Sequence, residues 1–104
     1  MMDSETTIMT ILVNAGEARS QCMTALQCAR NGDFDRARML LADADNFIKA
    51  AHRIQTQLIG EDQGEGKVPM TLIMVHAQDH LMNAILAREL INEMVILYQR
   101  QQRQ

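Results

Sequence analysis

The chain has 104 residues, enough for one domain spanning 1–104 and too few for two. Its 10 Lys and Arg stand against 13 Asp and Glu, a net charge of −3, which argues against a basic face able to grip nucleic-acid phosphates. Hydrophobic residues make up 47% of the chain but aromatics only 3%, with no Trp, so the core falls to Ala, Leu, Ile and nine Met. These residues mostly favour helices, and the scarcity of sheet-forming types excludes an all-β domain.

The chain opens acidic, Met1-Met2-Asp3-Ser4-Glu5, where a secretory signal would be basic, and no apolar run follows. A cytoplasmic location is therefore expected. The first helix follows from apolar or small residues at Ile8, Ile11, Leu12, Ala15, Ala18, Cys22, Ala25, Leu26 and Ala29, spaced by three and four. Gly16 interrupts it at a cost of about 1 kcal/mol relative to Ala. Such a residue suits close approach of a neighbouring helix, or leaves room for something bound. Cys22 and Cys28 are six apart and point roughly 120° away from each other on a helix, so they cannot bridge within it. Their spacing is not that of a redox or zinc pair, and reduced core thiols are expected.

Asn31-Gly32-Asp33 is the first break: Gly32 suits the left-handed end of one helix and Asp33 the N-cap of the next. The second helix carries Phe34, Ala37, Leu40, Leu41, Ala44, Phe47, Ile48, Ala51, Ile54 and Leu58, and ends where Gly60, Gly64 and Gly66 punctuate a polar stretch. So short a first connection makes the first two helices antiparallel. Pro69 suits the first turn of a third helix, whose core stripe is Met70, Ile73, Met74, Ala77, Leu81, Ala84, Ile85, Ile91, Val95 and Tyr98. Each helix is about 25–32 residues long, roughly 37–48 Å. The expected architecture is all-α, an antiparallel up-down-up three-helix bundle. No apolar run nears the ~18 residues needed to span a bilayer, so no membrane insertion is expected.

The third helix has a second apolar row, Leu72, Val75, Asp79, Met82, Leu86 and Leu90. A row of this length marks self-association through that helix. Asp79 sits within it, and a carboxylate in an apolar seam must be paired, protonated or bound to a cation. Copies meeting on a symmetry axis form an all-oxygen site suited to a hard divalent ion such as Mg²⁺; a neutral, hydrogen-bonded acid is the other reading.

His76 and His80 lie one turn apart on the same helix, while His52 sits at the edge of the second helix's apolar stripe and reads as structural. Two His at this spacing resemble half of a zinc site. The zinc-protease pattern fails because Ala77 stands where its Glu belongs. The di-iron bundle pattern fails because no Glu is followed three residues later by His. Neutral imidazole is also a nucleophile able to carry a phosphoryl group. His80 and Gln78 are then candidate donors to the phosphoryl oxygens, although on an ideal helix only His80 shares the face of His76.

The segment Val75-His76-Ala77-Gln78-Asp79-His80-Leu81-Met82 resembles the active-site segment of enzyme IIA of the lactose/cellobiose/chitobiose class of the bacterial sugar phosphotransferase system. Asn14-Ala15-Gly16-Glu17-Ala18-Arg19-Ser20, Gly32-Asp33-Phe34, Ala51-His52-Arg53-Ile54-Gln55-Thr56 and Arg88-Glu89-Leu90 resemble other blocks of that family. The resemblance implies a homotrimer of three-helix subunits, a nine-helix assembly. It implies that His76 accepts phosphate from the phosphocarrier HPr and passes it to a cysteine of enzyme IIB. It also implies that three copies of Asp79 share one structural Mg²⁺ per trimer. Two rival functions remain at this point: a non-catalytic trimeric adaptor, and a zinc-binding bundle built on His76 and His80.

Overall fold

The computed structural model describes residues 4–102, which form three α-helices and, among those residues, no strand. The acidic opening residues 1–3 lie outside the described residues. Helix α1 spans Ser4–Arg30, α2 Phe34–Asp62 and α3 Leu72–Gln102. Side-chain pairs set their directions. Between α2 and α3, Asp45 meets Arg88 and Gln55 meets Gln78, so residue numbers rise on one helix as they fall on the other. Between α1 and α3, Gly16 lies against His80 and Gly32 against Gln102, so the numbers rise together. The order is up-down-up, as the sequence predicts, drawn out to 55 × 21 × 19 Å.

The first turn forms as the sequence predicts. Gly32 is left-handed at φ 84°, and the Asp33 carboxylate accepts from the Arg36 N–H at 3.2 Å, capping α2. The second connection differs from expectation at both ends. Helix α2 runs through Gly60 to Asp62, and Gln63 takes the left-handed position at φ 55°, its N–H donating to the Ile59 carbonyl. The chain reverses there because the Asp62 carboxylate accepts from the Val68 N–H at 2.9 Å and the Gly66 N–H at 3.3 Å. Helix α3 starts beyond Pro69: the Thr71 hydroxyl accepts from the Met74 N–H at 3.2 Å, a helix cap that proline has no side chain to supply. Met70 therefore precedes the helix, and Ile73 lies in its first turn. They are 66% and 48% exposed instead of joining the core.

The buried set is dominated by alanine: Ala15, Ala18 and Ala25 of α1, Ala37, Ala44 and Ala51 of α2, and Ala77 and Ala84 of α3. Small side chains at facing positions let the helix axes come close. Ile11 and Leu81 are the largest fully buried hydrocarbon side chains. Cys22 and Cys28 are both free, and burial pushes the Cys22 thiol up, against the lowering pull of Arg88, so it stays protonated at neutral pH. Arg88 and Asp45 form a two-pronged ion pair at 2.9 and 3.0 Å, which pins α3 to α2. The Arg88 side chain is 21% exposed and that of Asp45 42% exposed, so water screens the pair in part. Arg88→Met should cost about 1–2 kcal/mol, read as a lower urea midpoint at unchanged slope.

Candidate functional site

The helical path of α3 through residues 75–80 distributes the candidate side chains around its circumference. His76 and His80, four residues apart, share one side, with rings parallel to within 4° and centroids 6.0 Å apart. His76 is exposed, and His80 is half-buried against α1. The glycine interrupting α1 belongs to this contact: a Cβ on Gly16 would stand 3.5 Å from His80 Nε2. Its place is explained by close approach, here of a side chain to a helix backbone.

Gln78 points elsewhere. It lies two residues from His76, about 160° around the helix, and turns toward α2. There its Oε1 accepts from Gln55 Nε2 at 2.9 Å, and its own Nε2 reaches Met74 Sδ at 3.5 Å. Within one chain the structure thus brings His80 to His76 and carries Gln78 away. His52 is exposed on α2 and belongs to neither group.

Asp79 is exposed, and its carboxylate accepts from the side-chain amide of Asn83 at 3.5 Å. The apolar row around it is bare on the single chain, with Val75 44%, Met82 51%, Leu86 53% and Leu90 50% exposed. The row also continues past its expected end: Glu93 and Leu97, the latter 58% exposed, follow at spacings of three and four. The periodicity signal was present at Leu97, but the intervening acid masked it. Among the described residues no three His, Cys, Asp or Glu side chains converge to hold a metal ion within one chain. Among the described residues of one chain, the pair His76–His80 therefore has no third His, Cys, Asp or Glu beside it of the kind tetrahedral zinc uses. A carboxylate on an open row is a donor of the right hardness for Mg²⁺, but one carboxylate does not by itself make such a site.

No helix among the described residues is long and apolar enough to cross a membrane. Residues 6–99 match the family model described as the lactose/cellobiose-specific IIA subunit of the phosphotransferase system. The chain belongs to that family. It is similar to the N,N'-diacetylchitobiose-specific EIIA component of Escherichia coli strain K12, at 44% identity over 96 residues, 92% of this chain and 83% of the relative. It is also similar to the crystal structure of the cellobiose-specific enzyme IIA from Bacillus anthracis. There the TM-score is 0.93 at 37% identity, covering 100% of this chain and 96% of the other. A third likeness is to the IIA(chitobiose) structure solved in complex with HPr from the Escherichia coli system, with a TM-score of 0.85 at 40% identity, covering 98% and 99%. As a IIA chain, the protein is a phosphotransferase component of a sugar phosphotransferase system.

Proposed function

We propose that the chain is a cytoplasmic phosphoryl carrier that takes phosphate from phospho-HPr on His76 and delivers it to a cysteine of its cognate enzyme IIB. The observation that carries this reading is the His76 ring itself, exposed on α3 and aligned with a half-buried second imidazole. A neutral ring nitrogen of His76 attacks the phosphorus of the donor phosphohistidine. The new N–P bond forms as the donor's N–P bond breaks, and that electron pair returns to the donor imidazole. In the second half, the IIB thiolate attacks the same phosphorus and the bonding pair returns to His76. A ring N–H of His80 supports the phosphoryl oxygens from its own chain. That a solved relative was captured with HPr supports the donor.

Homotrimerisation through the α3 row covers the exposed apolar strip, and Mg²⁺ held by three Asp79 carboxylates would offset their mutual repulsion. In a closed three-fold ring every interface is heterologous, so the α1 edge of one subunit meets the α2 edge of the next. His76 lies toward α1 and Gln78 toward α2. Gln78 thus serves the phosphoryl group of the neighbouring subunit's His76. Mixing His76→Gln subunits with Gln78→Leu subunits should then restore fast transfer, because an intact His76 meets an intact Gln78 only across their boundary. Mixtures no faster than Gln78→Leu alone would refute the shared site.

The choice of sugar is assigned to other components of the system. A β-disaccharide of the lactose, cellobiose or chitobiose type is the reading that the family supports.

A further inference from the structure

Gln55 and Gln78 face each other across the α2–α3 boundary, lining a cavity of about 240 Å³ whose other walls include Ile59, Met70 and Met74. An amide pair of this kind has two polarities. Either Gln55 donates to Gln78, or both groups flip and Gln78 donates to Gln55. Two thioethers decide between them. Gln55 Nε2 lies 3.8 Å from Met82 Sδ, and Gln78 Nε2 lies 3.5 Å from Met74 Sδ. Sulfur in a thioether accepts and never donates. Flipping the pair would turn both carbonyl oxygens onto sulfur lone pairs, so the observed direction is favoured at both ends. Its consequence is that the Gln78 oxygen is engaged at 2.9 Å, whereas its N–H₂ is held only by a weak sulfur contact.

From this geometry we infer that Gln55 is a positioning residue for phosphoryl transfer, holding Gln78 with its amide nitrogen free to donate to a phosphoryl oxygen. The inference rests on the proposed role of Gln78 and adds a residue to it. A phosphoryl group offers only acceptors, so a Gln78 side chain presenting its carbonyl would repel the group it should stabilise. Gln55 and its two flanking Met residues set which face is offered.

The test is the transfer rate from phospho-HPr in five proteins: wild type, Gln78→Leu, Gln55→Leu, Gln55→Glu and the double variant Gln55→Leu/Gln78→Leu. Gln55→Leu should lower kcat about 3- to 10-fold with KM for phospho-HPr unchanged. Gln55→Glu is close to isosteric and keeps a hydrogen bond, but its carboxylate only accepts. It pulls the Gln78 N–H₂ inward and turns the carbonyl out, so kcat should fall by more than in Gln55→Leu. A residue that merely packed or stabilised would give the opposite order. In the Gln78→Leu background, Gln55→Leu should have no further effect.

Gln55→Glu transferring at the wild-type rate while Gln78→Leu is slow would overturn the inference alone. A Gln78→Leu protein transferring at the wild-type rate would remove the role of Gln78 and this inference with it.

Discussion

Incubated with labelled phosphoenolpyruvate, enzyme I and HPr, the chain should take up one acid-labile, base-stable phosphate per subunit, and His76→Gln should take up none. The lability pattern follows from the bond. A phosphoramidate loses its phosphoryl group when the ring nitrogen is protonated and survives base, whereas a phosphate ester on Ser or Thr does not behave this way. Glutamine keeps the length and polarity of the site but has no nucleophilic ring nitrogen, so uptake should drop to background and not to a fraction. His80→Gln should retain the label and slow its arrival, because the His80 ring supports the phosphoryl oxygens without forming the bond. His52→Gln, on α2 and away from the aligned pair, should behave as wild type. Label persisting in His76→Gln would disprove the assignment of the nucleophile. Stoichiometric zinc, lost together with the label in His80→Gln, would favour the metal-bundle alternative.

The second large effect concerns assembly. Asp79→Leu should leave the proposed trimer intact and raise its stability by about 1–4 kcal/mol, the range seen when buried charges give way to packed hydrocarbon. Three carboxylates about 5 Å apart at an effective dielectric near 20 repel by roughly 3 kcal/mol per pair before a cation offsets them, and each also loses hydration on entering the seam, a cost that a bound cation leaves in place. Val75, Met82 and Leu86 already surround the position with exposed hydrocarbon, so leucine extends a surface that association covers. Sedimentation equilibrium and thermal melting at fixed protein concentration report the two quantities. An Asp79→Leu protein sedimenting as a monomer would show that the ion–carboxylate cluster, and not the apolar row, holds the subunits together.

The loop between α2 and α3 shows where reading by punctuation failed. Gly60 and Pro69 looked like the ends of the helices because glycine and proline are the strongest local signals. The ends were set instead by side chains that supply hydrogen bonds, the Asp62 carboxylate and the Thr71 hydroxyl. An exposed glycine in a helix costs only about 1 kcal/mol, less than satisfying the loop's N–H groups gains. Ile73 has a spacing that fits the core stripe, but its neighbour Met74 takes the buried position at 2% exposed, and Ile73 stays 48% exposed at the edge beside Ile8 and Met9 of α1. Asp33 and Gly32 were legible because a three-residue turn leaves no other residue to do their work.

Sequence by itself determined the three helices, their up-down-up order and the separation of a core stripe from an apolar outer row on α3. These depend on local spacing and on connections too short to allow another arrangement. It also placed His80 beside His76, since four residues make one helical turn. What only the tertiary structure decided were the relations between helices. Gly16 makes way for His80, Arg88 clamps Asp45, and Gln78 turns from His76 to meet Gln55. Helical periodicity fixes the angle at which a side chain leaves its own axis. It carries no information on which residue of another helix stands opposite, because that register is set by how alanine-lined surfaces pack together.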